Sequence, residues 1–131
     1  MIVLDSDTCI GILRGRAEVL ERRSAEIDDV ATTWVTAAEL FYAAAKSSTP
    51  EANASQIVRF LKTLTVLPPD LATARLFGEL KARLATNGRI VTDADLFIAA
   101  IAVSLGATLV TGNRKQDGRI PGVVIEDWLR A

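Results

Sequence analysis

The residues of this chain that could do chemistry are acidic and hydroxylic. Asp5 ends the apolar run Ile2-Val3-Leu4 and is followed by Ser6, Asp7 and Thr8; Glu39 lies in an alanine-rich stretch; Asp93 and Asp95 open the apolar segment LFIAAIAVSLG; Thr111 and Asn113 follow Thr-Leu-Val. The 131 residues contain no histidine and one cysteine, Cys9. Ser-His-Asp hydrolysis, Cys-His proteolysis, histidine base catalysis and His-ligated zinc are therefore excluded, as are an intramolecular disulfide and a thiolate metal cluster. What remains is catalysis by carboxylates, Lys, Arg or hydroxyls, or by a cation held through oxygen. Oxygen-only sites favour hard ions, chiefly Mg²⁺ or Mn²⁺. Carboxylates gathered in one place repel one another, and a divalent ion keeps them ionised at neutral pH.

Such residues need a framework. The length suits one domain, and 50% apolar with 24% charged residues is a globular composition. Fifteen basic residues against sixteen acidic leave a net charge of −1, which argues against a broadly basic nucleic-acid coat but not against a local patch. No apolar run reaches the ~20 residues of a membrane span, and MIVLDSD has no basic leader; the chain reads as soluble and cytoplasmic. Apolar strands are expected at 2–4, Val30–Val35, 65–67, 107–111 and 122–125. They alternate with helices near 6–13, Ala17 to about Ile27, an alanine-rich helix opened by Thr36, 51–64, one capped by Asp70 and ended by Asn87-Gly88, and one running from Thr92 or Asp93 to Gly106. The stretch 112–122 reads as a polar loop. Short continuous apolar strands alternating with helices define an α/β class with a mostly parallel sheet covered on both faces. In such sheets ligands bind beyond the carboxyl ends of the strands.

That rule brings Asp5, Glu39, Asp95 and Thr111 to one rim. Each also has a plainer role. Thr36-x-x-Glu39 and Thr92-x-x-Asp95 match capping boxes, and Asp5, Asp7 and Asp93 are candidate N-caps. Arg14, Arg114 and Lys115 are candidate phosphate contacts that would otherwise be solvated surface charges. Trp34, Phe41, Tyr42 and Trp128 are the large aromatics near these segments; Trp34 and Phe41, inside regular elements, read as core.

Taken together, IVLDSD at 2–7, VTAAELFYAAAKS at 35–47, DADLFIAAIAVSLGATLVTGN at 93–113 and RIPGVVIEDWL at 119–129 resemble the PIN-domain ribonucleases, in particular the VapC toxins of VapBC toxin–antitoxin pairs. The resemblance spans the whole chain, 1–131, as a single PIN domain. It implies a three-layer α/β/α sandwich and an acidic pocket for Mg²⁺ or Mn²⁺, in which Asp5, Glu39 and Asp95 match the three acidic positions. Thr111 and Ser6 match the supporting hydroxyls. At the fourth acidic position Asn113 stands where many members of the family have Asp, leaving Asp93 or Asp117 to supply the charge. The resemblance further implies metal-assisted hydrolysis of RNA such as tRNA, a VapB-type antitoxin partner and a homodimer.

Two other readings compete. Asp5-Ser6-Asp7-Thr8 fits the D-x-D-x-T motif of haloacid-dehalogenase phosphatases, with Asp5 as nucleophile and Asp7 as acid/base. It leaves Glu39 and the strand before Thr111 without a role. A non-enzymatic receiver-type switch needs an acceptor Asp after the third strand, where Pro68 stands, and a Lys after the strand that ends here in Gly112. A pure binding module requires every one of the acids to be no more than a cap.

Overall fold

The computed structural model describes residues 1–130. Along the chain lie β1 (Ile2–Leu4), α1 (Ser6–Leu13), α2 (Ala17–Ala25), β2 (Val30–Thr33), α3 (Trp34–Ala45), α4 (Pro50–Leu61), β3 (Thr65–Leu67), α5 (Leu71–Thr86), α6 (Asp93–Ser104), β4 (Thr108–Val110), α7 (Arg114–Asp117) and β5 (Val124–Glu126). The five strands form one sheet, β3-β2-β1-β4-β5, in which every pairing is parallel. The chain winds outward from β1 to β3, then crosses back to place β4 on the other side of β1. The direction of winding reverses between β1 and β4, so the crevice at their carboxyl ends is the expected binding position.

Alternation along the central strands sorts the core into two layers. Ile2, Leu4 and Val110 pack with Cys9, Val19, Leu40, Ile57, Phe60 and Trp128 on the side of α1 to α4. Val3 and Leu109 face the other way, against Leu80, Leu84, Leu96, Ile98 and Ile120 of the α5–α6 layer. This is the expected three-layer α/β/α sandwich. α6 is buried along much of its length, and Ala99, Ala100 and Ala102 are wholly enclosed, which lets it lie close on the sheet. It ends at the amino edge, where Thr108 N–H donates to the Met1 carbonyl at 3.1 Å. Twelve residues of helix, about 18 Å, therefore carry its N-terminus, with Asp93 and Asp95, to the carboxyl edge. Phe77 of α5 stacks on Phe97 of α6 with centroids 3.8 Å apart. Among the described residues no helix is long and apolar enough to cross a membrane.

The structure corrects several boundaries. β2 stops at Thr33, and α3 opens at Trp34 rather than Thr36. The buried Thr33 Oγ1 accepts a hydrogen bond from Thr36 N–H at 3.1 Å, which satisfies one orphan donor of the first turn. Trp34 and Phe41, starting two residues earlier in the helical phase than expected, come to the outer side, 40% and 38% exposed, instead of the core. α2 stops at Ala25 because Glu26 is extended, leaving Ile27 fully exposed. The stretch 112–122, read as a loop, contains the single turn α7, and β5 begins at Val124 rather than Gly122.

Removing the cap oxygen should cost roughly 1 kcal/mol of unfolding free energy. Thr33→Ala is expected to show that loss by urea denaturation and Thr33→Ser to recover most of it; equal stability of Thr33→Ala and the parent would contradict the cap.

Candidate active site

Asp5 enters the site directly from β1. Its N–H donates to the Val110 carbonyl at 3.0 Å, tying it to β4. Its Oδ1 accepts from Thr8 N–H at 2.9 Å, so the carboxylate is the N-cap of α1 while Oδ2 is free of that duty. The residue is 9% exposed, and burial raises its pKa above the usual carboxylate range. The Thr111 hydroxyl and the Thr8 N–H favour the ionised form and oppose this shift, while the charge of Asp7 adds to it.

Thr111, wholly buried at the end of β4, lies against two carboxyls at once, Asp5 and Asp117. Its Oγ1 also accepts from Asn113 N–H at 3.0 Å, which turns the chain into α7. Asp117 closes that helix and is only 3% exposed. Its pKa is pushed up to about 7, first by desolvation and then by the charges of Asp95, Asp5 and Asp7, against the opposing hydroxyl of Thr111. Its Oδ1 is buried without a hydrogen-bond partner. Gly118 makes the turn possible, since a Cβ there would stand 2.6 Å from the Arg114 carbonyl oxygen.

Asp95 sits in the first turn of α6, half-buried, its N–H donating to Thr92 Oγ1 at 3.3 Å. Glu39 is exposed on α3, and Ser6 Oγ donates to its Oε1 at 2.5 Å. Since the cap of α3 is Thr33, Glu39 lies too far into the helix for the Thr36 capping box, and its recorded partner is the hydroxyl next to Asp5. Asp5, Glu39 and Asp95, with Ser6 and Thr111, thus converge on one edge of the sheet.

Three expected contributors do not join in the way the sequence suggests. Asp93 turns outward to Lys81 Nζ, 2.9 Å away, and is exposed. The Asn113 side chain donates to Gln116 Oε1. Arg14 caps the far end of α1, about 12 Å along the helix from Ser6, in a groove with Leu40, Ser47 and Gln56. Asp117 supplies the fourth buried carboxyl instead. Arg114 and Lys115 stand exposed at the start of α7, nearer the acids than Arg14.

The chemistry of this donor set fits a hard divalent cation. The donors are all oxygen, and among the described residues no ion pair involves Asp5, Glu39, Asp95 or Asp117. Two carboxyls are held toward the neutral form for want of positive charge, and one buried oxygen has no donor. Among the described residues no group of three or more acids is gathered tightly enough to cage an ion unaided, so water or substrate oxygens would complete the coordination, as is usual for Mg²⁺.

A parallel sandwich with a clustered acidic edge at its switch point is the arrangement of one known family: the PIN domain model matches residues 2–118, and the chain belongs to that family. Within it, the chain is 37% identical to the tRNA(fMet)-specific endonuclease VapC of Salmonella typhimurium, over 96% of each chain, and 34% identical to ribonuclease VapC2 of Haemophilus influenzae, over 97% of each. It superposes with a TM-score of 0.92 on a chain of the DNA-bound VapBC structure from Salmonella typhimurium, at 36% identity and 97% coverage of both. For VapBC2 of Rickettsia felis bound to a promoter DNA fragment the TM-score is 0.91, at 31% identity, covering 98% of this chain and 99% of the other. The chain is thus a ribonuclease of the VapC group, which sets aside the phosphatase and receiver readings.

The raised pKa of Asp117 fixes the sign of a pH effect. Its native value of about 7 lies above the ~3.9 of an unfolded Asp, so its contribution to stability is fully present below about pH 4 and is lost as pH rises through 7. In EDTA, the melting temperature of the parent should fall relative to that of Asp117→Asn between about pH 5 and pH 8. Parallel pH courses for the two proteins would contradict the assignment.

Proposed function

We propose that this chain is a Mg²⁺- or Mn²⁺-dependent endoribonuclease, the toxin of a toxin–antitoxin pair, working through Asp5, Glu39, Asp95 and Asp117. The observation that carries this reading is the pair of buried carboxyls, Asp5 and Asp117, flanking the Thr111 hydroxyl without a counter-ion at the switch point of the sheet. The whole chain, 1–131, acts as one PIN domain.

Asp5 Oδ2, the unpartnered Asp117 Oδ1 and the Asp95 carboxylate are the ligands offered to the ion. When bound, the ion would lower the pKa of a water and polarise a phosphodiester. Glu39, steadied by Ser6, is placed to orient the attacking water and take its proton, a task no histidine can perform here. Thr111 keeps Asp5 and Asp117 toward the ionised form that a ligand requires. Arg114 is placed to meet the substrate phosphate; Asp93, paired with Lys81, serves the surface.

Single-stranded loops, whose bases can be splayed out, suit a domain of this size. The Salmonella and Shigella flexneri relatives are named tRNA(fMet)-specific, so tRNA is the first substrate class to test. Because the structural neighbours are VapBC complexes, a VapB-type antitoxin is the proposed protein partner, and the cytoplasm the place of action. Trp34 and Phe41, exposed on one stripe of α3, with Trp34 beside Phe97, are proposed as part of a homodimer face.

The test is incubation of the purified protein with total tRNA and rRNA in Mg²⁺, Mn²⁺ or EDTA. Discrete fragments should appear with either metal and vanish with EDTA. Asp5→Asn should lower the rate more than about 100-fold, beyond the 10–100-fold typical of losing an outer-shell partner, while circular dichroism stays native. Asp7→Asn should cost far less. Cleavage that survives EDTA, or an Asp5→Asn variant of full activity, would overturn the site.

A further inference from the structure

We infer that Tyr42 and Lys46 form a platform that holds an unpaired nucleotide of the RNA beside the cut, an inference that rests on the ribonuclease reading and gives that site its substrate contact. Tyr42 is the one tyrosine of the chain and is 67% exposed, unusually open for a large aromatic ring. Lys46 Nζ stands 4.8 Å from the centroid of its ring. A cation over a ring steadies it, and it places a positive charge at the edge of an aromatic face.

The placement links this pair to the acids. Glu39, Tyr42 and Lys46 occupy positions i, i+3 and i+7 of α3, a stripe about 60° wide, with Tyr42 about 4.5 Å and Lys46 about 10.5 Å along the axis from Glu39. Ser6 ties the Glu39 end of the stripe to the acidic edge. A strand leaving the acids along α3 would therefore meet first an aromatic face and then an ammonium, the order in which a nucleotide presents base and phosphate. Trp34 and Phe41 lie on a different stripe, with Trp34 against Pro69 and Phe97, and cannot serve the same path. Charge favours RNA as the occupant. The acids repel a phosphodiester, and Lys46 supplies an attraction one step away from them. Stacking on tyrosine is tolerant of base identity because every base has a π face, and it is worth about 1–3 kcal/mol per base.

The test uses the Asp5→Asn protein in Mg²⁺ and a fluorescently labelled single-stranded oligoribonucleotide of mixed sequence, read by anisotropy. Tyr42→Ala should weaken binding about tenfold, while Tyr42→Phe and Tyr42→Trp keep it. Lys46→Ala should weaken binding and flatten the slope of log Kd against log salt by about 0.7, the value for one phosphate contact on a single strand; Lys46→Arg should restore the slope. In the Asp5-containing protein, Tyr42→Ala should slow cleavage of tRNA correspondingly. If Tyr42→Ala binds and cuts as the parent does, the platform falls and the ribonuclease stands. A loss confined to antitoxin binding or to self-association puts a protein on the stripe and also overturns the platform. If the parent neither binds nor cuts RNA, the ribonuclease reading falls and the platform with it.

Discussion

Thr111 has one hydroxyl proton and two buried carboxyls beside it, and the rest of the site follows from that shortage. Asp5 and Asp117 are taken out of water with too few donors, and Asp95 and Asp7 add further negative charge. Nothing in such a cluster favours its own assembly. It exists because the sheet fixes it: β1 and β4 are paired in register, Leu4 beside Val110, and the residues that follow each strand have no other place to go. The two apolar layers provide the energy that the acids oppose. A pocket of this kind binds a cation strongly because the protein has already met the cost of bringing the charges together.

Capping and ligation are not alternatives at Asp5. One oxygen serves the α1 backbone and the other is free of that duty, so the plain reading and the chemical reading of the same residue are both true. The cap even assists, since it fixes the rotamer of a side chain that would otherwise recoil from its neighbours. At Glu39 the outcome differs. Once Thr33 is the cap, the helix has no use for a carboxylate one and a half turns in, and the side chain reaches to Ser6 instead.

Much of this was legible in the residues. An acid ending an apolar run at Asp5, the buried helix after Asp95 and the strand before Thr111 are strong local patterns, and with the parallel-sheet rule they locate the rim. Asp93 and Asp95 could have been separated as well, for residues two apart on a helix face away from each other; Asp95 lies toward the acids and Asp93 meets Lys81. Asp117 was harder, because one helical turn between glycines reads as loop. The available sign was Ile120 three residues later, an apolar anchor that draws the turn inward and buries the acid with it. The exposure of Trp34 and Phe41 hung on a two-residue shift in where α3 begins, and nothing in VATTWV itself marks Thr33 rather than Thr36 as the cap.

The order of the strands has a bearing on timing. β1 is the first strand made and lies at the centre of the sheet, yet one of its neighbours, β4, and the helix bearing Asp117 are among the last segments to be synthesised. At ~5–20 residues per second, the acids at the two ends of the set leave the ribosome on the order of ten seconds apart. Throughout that interval the nascent chain carries Asp5 with no Thr111 beside it and no Asp117 across from it. A ribonuclease made this way stays harmless to the ribosome translating it until its message has been read almost to the end.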